Sequence, residues 1–126
     1  MLKNIFLIGI FLIIQSCTTT EKIKNHSNEN GLSKEQIADT IYSNIKDINS
    51  CYEIGLKENS QLSGRFVASF KIDSKGYVKL PLIVDSTLGS KNTESCVISK
   101  LSSWQFPVPV GGEEVTVKYP FKLERK

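Results

Sequence analysis

Histidine is nearly absent. The chain of 126 residues has one, His26, set among Asn and Ser where it reads as a solvated side chain. A serine or cysteine nucleophile would therefore lack its usual base. Cysteines without neighbouring histidines also make a poor zinc site. No glycine-rich phosphate loop is present, because Gly111 and Gly112 sit in the turn-forming stretch PVPVGGEE. The 16 basic and 13 acidic residues are scattered, with no basic stripe interleaved with aromatics, so nothing points to nucleic acid. The longest apolar run, residues 5–14, is shorter than the roughly 20 residues a membrane-spanning helix needs.

What is there begins at the N-terminus, MLKNIFLIGIFLIIQSC. A short basic region at Lys3 precedes the apolar run, the build of a secretory signal. The run closes on Ile14-Gln15-Ser16-Cys17. This resembles the lipobox of bacterial lipoproteins, although Gln15 is an unusual residue at its place. The resemblance implies cleavage after residue 16 and lipid on Cys17, with the alternative of an ordinary signal that happens to end at a cysteine. Several acyl chains hold a protein stably where one does not. Thr18 in place of aspartate favours the outer membrane under enteric sorting rules. The expected location is therefore the envelope of a diderm bacterium, facing the periplasm. About 110 residues would remain, enough for one small domain, with 15 basic residues against 13 acidic ones once Lys3 is lost.

Residues 17–32 are polar and read as a disordered tether. The domain is expected over residues 33–126. Ser33 and Gln36 have the form of a capping box. Ile37, Ile41, Ile45, Ile48, Tyr52 and Leu56 then recur at steps of three and four, which predicts one continuous helix. From Gly64 the chain alternates, with Phe66, Ala68, Phe70 and Ile72 on one face and Arg65, Val67, Ser69 and Lys71 on the other. Asp73-Ser74-Lys75-Gly76 reads as a tight turn. The next strand, residues 77–85, is expected to turn Val78, Leu80, Leu82 and Val84 to one face. A second helix follows, capped by Ser90 or Asn92, with Cys96, Val97, Leu101 and Trp104 at helical spacing. Residues 115–123 form the last strand.

The order is α-β-β-α-β, an α+β class. A crossover through the second helix makes the last strand parallel to the second strand, so in an antiparallel sheet it pairs with the first. The strand order is then 2-1-3, with two helices on one face. The prolines agree: Pro81 and Pro120 suit edges, and the proline-free first strand takes the centre.

Cys51 as a nucleophile would need a base and an electropositive pocket, and its neighbours are isoleucines and Glu53. The carboxylates Asp39, Asp47, Glu53, Glu58, Asp73 and Asp85 fall at helix surfaces, turns or strand ends and read as solvated. If Cys17 is lipidated, Cys51 and Cys96 remain in a compartment where disulfides persist. They lie on two helices covering one sheet face and are read as a disulfide, with two reduced core cysteines as the alternative. No catalytic residue, cofactor, metal or small-molecule substrate is expected.

Across residues 45–123 the pattern carries Cys51-Tyr52-Glu53, Leu62-Ser63-Gly64, Ile72-Asp73 with Gly76, Ser86-Thr87-Leu88-Gly89 and Cys96. It continues with Trp104, Phe106-Pro107, Gly111-Gly112 and Tyr119-Pro120-Phe121. This resembles the C-terminal domain of the AgmX/PglI type, named from gliding-motility proteins of myxobacteria, within the wider TonB C-terminal-like class. The resemblance implies helices on a three-stranded antiparallel sheet and a domain that binds proteins rather than catalysing. Such domains commonly take a short peptide as an added strand along the last strand. Carried over, the partner-binding edge is Val115, Thr116, Val117, Lys118 and Tyr119, unless Lys118, Lys122 or the tail Glu124-Arg125-Lys126 blocks it. Energy transducers of that class have a transmembrane helix and a long Pro-rich segment; this chain has an expected lipid anchor and a short tether, so force coupling is not implied. The expected partners are the membrane, through the anchor, and another envelope protein. A structural or cell-wall-associated lipoprotein is the alternative.

Overall fold

The computed structural model describes residues 31–126. The signal segment, Cys17, most of the tether and His26 lie outside the described residues. The elements are α1 (Lys34–Ser43), α2 (Ile45–Glu58), β1 (Gly64–Ile72), β2 (Val78–Ser86), α3 (Lys91–Leu101) and β3 (Val115–Leu123). The sheet is antiparallel with the order β2-β1-β3, as the proline placement requires.

The capping box forms in both directions. Gln36 N–H donates to Ser33 Oγ at 3.1 Å, and Ser33 N–H donates to Gln36 Oε1 at 2.9 Å. The expected single first helix is instead two. Thr40 Oγ1 donates to the Gln36 carbonyl, Ser43 Oγ to that of Asp39, and Asn44 Nδ2 to that of Thr40. Side chains that bond carbonyls four residues back compete with the helical ladder and bend it. The ladder gives way at Asn44, whose φ of −106° and ψ of 7° close α1 and open α2. The apolar stripe runs across the break, and Ile41, Ile48, Cys51 and Tyr52 are all buried.

Val97 and Leu101 of α3 meet that stripe over Phe66, Ala68, Phe70 and Ile72 of β1, giving one core. Ser90 caps α3 by accepting from Thr93 N–H, while Asn92 donates its amide to Glu58 on α2. Trp104, expected inside this helix, lies beyond its end. It follows a turn in which its N–H donates to the Leu101 carbonyl, and its ring is buried in the core. The helices α2 and α3 approach closely at Gly55, where a Cβ would collide with Thr93 Oγ1.

The second correction concerns β2. Val78 is buried, but Leu80, Leu82 and Val84, expected to share its face, are exposed. The register explains this. From Lys71 to Ser69 β1 takes two steps while β2 takes three, from Lys79 to Leu82. From Ala68 to Val67 β1 takes one step while β2 takes two, from Ile83 to Asp85. Each extra residue is a bulge that reverses which side chains face inward. Ile83, not Leu82, packs on the core. Leu80 sits at the first bulge with φ 51°, a left-handed conformation uncommon for leucine.

Gly31 and Leu32 precede the capping box and already belong to the packed unit. Gly31 and Val110 exchange two backbone hydrogen bonds of 2.8 and 2.9 Å, and Leu32 is buried.

Candidate binding edge

β3 runs alongside β1 in unbroken register over nine pairs, from Ile72 with Val115 to Gly64 with Leu123. Its other side has no strand partner among the described residues. Which backbone groups face that side follows from β1. Arg65 N–H donates to Thr87 Oγ1 at 3.0 Å, and the Arg65 carbonyl accepts from Thr87 N–H at 2.9 Å, so the main chain of Arg65 faces the β2 side. Successive residues of a strand turn their N–H and C=O groups to opposite sides. The main chains of Phe66, Ala68, Phe70 and Ile72 therefore face β3, where they meet Phe121, Tyr119, Val117 and Val115.

It follows that Thr116 and Lys118 turn both backbone groups outward to the open edge. Pro120, also at an outward position, offers a carbonyl but has no N–H. This is why the sheet tolerates a proline there: no bond to β1 is lost. The side chains of Thr116, Lys118, Pro120 and Lys122 stand exposed on the face away from the helices. Val117 and Phe121 are buried on the helix side, with Val115 and Tyr119 half-buried beside them. Phe121 stacks on Phe66 with ring centroids 5.0 Å apart and meets Tyr119 at the same distance. One face of the edge is thus apolar and aromatic and the other cationic.

Of the features expected to block the edge, the tail lies elsewhere, while Lys118 and Lys122 are on the edge strand with exposed side chains. The tail continues past the end of β3, where Arg125 donates to Gln61 beside the end of α2. Lys122 pairs with Glu124 at 3.2 Å. Lys118 has its side chain on the face away from the helices, and its backbone groups have no protein partner at the open edge among the described residues.

Cys51 and Cys96 form a disulfide joining α2 to α3, with Cα atoms 5.6 Å apart. The expected solvated carboxylates mostly have structural partners. Asp47 accepts from Trp104 Nε1 at 2.8 Å. Asp85 pairs with Arg65 at 3.4 Å, and Glu58 accepts from Asn92. Tyr52 donates its hydroxyl to the Leu62 carbonyl at 2.6 Å. Cys51, Tyr52 and Trp104 are therefore fold-building residues, while Glu53 is exposed.

Asp73 organises the β1–β2 turn. Its Oδ1 accepts the N–H groups of Lys75 and Tyr77, each at 2.9 Å. Desolvation pushes its carboxyl up, but the hydrogen bonds from Tyr77 and Lys75 and the charges of Lys79 and Lys75 outweigh it and hold the pKa below 3.8. Gly76 completes the turn at φ 89°. A Cβ there would strike the Phe106 carbonyl oxygen, which ties the turn to the 105–112 loop.

No family model and no curated protein matches the chain. Among solved structures it is similar to the solution structure of the TonB C-terminal domain of Helicobacter pylori. The identity is 18%, the match covers 76% of this chain and 96% of that one, and the TM-score is 0.46.

Proposed function

We propose that the protein is a non-enzymatic, lipid-anchored component of a diderm cell envelope, whose domain captures another envelope protein by adding a strand of it to β3. The observation that carries this reading is the pair of outward backbone groups at Thr116 and at Lys118, which have no protein partner among the described residues, on an edge in unbroken register. An extended peptide laid there gains main-chain hydrogen bonds, and side-chain alternation supplies selectivity. On this reading the partner segment carries apolar residues toward Val115 and Tyr119 and an acidic one toward Lys118.

The residue pattern quoted above supports a domain of the AgmX/PglI type, within the TonB C-terminal-like class. The lipobox-like Ile14-Gln15-Ser16-Cys17 supports the anchor, and Thr18 the outer membrane. No cofactor, metal or small-molecule substrate enters the proposal. Mild crosslinking in cells followed by purification of the chain tests it. Recovery of one stoichiometric envelope protein that disappears with Lys118→Pro is the expected result. Sedimentation with the cell wall and no protein partner would instead mark a cell-wall-associated component.

A further inference from the structure

The two ends of the sheet differ in what they expose. At one end are the turn between β1 and β2, the 105–112 loop and Gly31. They are joined there: Phe106 N–H donates to the Gly76 carbonyl, Tyr77 pairs with Gln105, and Gly31 pairs with Val110. Gly31 also lies against Val115 at the start of β3. This end projects Tyr77, Leu80, Val108 and Val110, which are 49%, 70%, 63% and 59% exposed. The opposite end comprises residues 59–64, 87–91 and 124–126. Its large apolar side chains, Leu62 and Leu88, are buried, and it presents Asn59, Ser60, Gln61, Lys91, Glu124 and Arg125 instead. A shallow groove of about 440 Å³ lies at that end between Arg65 and Lys122, and Phe121 in its lining is buried.

The chain enters the domain at the apolar end. Cys17 precedes Gly31 by fourteen residues, which span at most roughly 50 Å fully extended. A short tether of this kind holds a domain at an effective concentration near the millimolar range. Contacts too weak to recruit a free domain are then enough to orient an anchored one. The chemistry of the end suits a lipid interface. Tyrosine favours the headgroup level, while valine and leucine gain by leaving water. Of the lysines nearby, Lys71 pairs with Glu114 at 3.3 Å and Lys79 with Asp73 at 3.8 Å, while Lys75 in the turn is exposed with no ion-pair partner among the described residues; one free cation beside four apolar side chains makes the contact chiefly apolar. Leu80 fits as well: it holds a strained left-handed backbone while its side chain stays in water, and strain of that kind accompanies functional surfaces.

We infer that Tyr77, Leu80, Val108 and Val110 form a membrane-contacting end that seats the domain on the bilayer holding its anchor. The strands then run roughly along the membrane normal, and the open edge of β3 faces sideways. The inference rests on the lipid-anchor part of the proposed function and is independent of strand addition.

The test uses the full acylated chain in vesicles of phosphatidylethanolamine and phosphatidylglycerol. An environment-sensitive NBD fluorophore is attached to Val108→Cys in one sample and to Ser60→Cys, at the opposite end, in another. Flotation of the vesicles reports the anchor separately from the orientation. The expected result is a blue shift and a several-fold rise in emission at position 108 and not at 60, persisting in high salt. With the probe at position 108, Leu80→Asp combined with Val110→Asp abolishes the shift without loss of flotation. Flotation with no shift at 108, or with equal shifts at 108 and 60, overturns the inference. A shift at 108 that appears only when a second envelope protein is added overturns it in favour of protein docking. Failure to float overturns both the anchor and the orientation.

Discussion

Both edge strands pair with β1 on one side only, yet β3 keeps step with it through nine pairs while β2 slips twice. The bulges twist the edge of β2, put Leu80 in a left-handed backbone and place Pro81 inside the strand. These are the devices by which natural sheets discourage further pairing. β3 carries Pro120 near its end and two exposed lysines, Lys118 and Lys122, but no bulge, so its outward groups keep an even spacing. An edge open to strand addition is therefore recognised by regular spacing of its outward groups, and one sheet can hold an open and a closed edge side by side.

Several substitutions break or sharpen that contrast. The disulfide stands on the β2 side, where α3 packs on that strand. It closes a loop with a sequence separation of 45, worth about 4 kcal/mol in the chain-entropy account. Cys51→Ala with Cys96→Ala should lower the urea midpoint accordingly, and amide exchange should speed up in β2 more than in β3.

Prolines placed in β3 should separate inward from outward positions. Val117→Pro removes a bond to β1, leaves a buried acceptor unpaired and should cost about 1–3 kcal/mol. Lys118→Pro removes only an outward N–H; it should leave the thermal midpoint far closer to the parent and abolish partner capture. Equal destabilisation by both would mean that the outward groups are assigned to the wrong residues.

Smaller effects follow. Tyr52→Phe leaves the buried Leu62 carbonyl without its donor and should cost about 1–2 kcal/mol by urea titration. On the closed edge, Leu80→Asn replaces leucine by a residue that tolerates positive φ and should raise stability by up to about 1 kcal/mol, the order of the left-handed penalty. No gain would mean the left-handed backbone carries no strain.

The smallest effect concerns the turn that begins β2. The Asp73 pKa is lowered in the folded chain. The folded state therefore binds this proton less readily than the unfolded one, and the carboxylate contributes stability above the unfolded value near 3.8. That contribution is lost as pH falls through the lower, folded value. Asp73→Asn should lower stability slightly near neutrality and flatten the acid limb, so that variant and parent converge at low pH.

Much of the fold was legible in the letters. The proline-free strand took the centre, the isoleucine spacing gave the buried stripe, and Ser33 with Gln36 marked a helix start. Three features were not. The Ile41, Ile45, Ile48 spacing passes through Asn44 unchanged, so the break depends on side chains bonding carbonyls four residues back. Val78, Leu80, Leu82 and Val84 alternate perfectly as written; they leave the core because bulges are a relation between two strands. Trp104 keeps helical spacing from Leu101 although the helix has ended, because a turn returns its ring to the core. For the candidate edge, the strand was readable but the outward groups were not, since they follow from the contacts of Arg65 across the sheet.

Pro120 works on the open edge as a ruler. An incoming strand that starts beside Val115 finds donor and acceptor at Thr116, both again at Lys118, and then an acceptor alone. The outward donor is missing at the third position and returns only at Lys122, beside the end of the strand. On the proposed strand addition, the stretch held without interruption is therefore counted by the receptor rather than by the ligand. A partner that varies on either side of that short segment would then still be gripped at the same place.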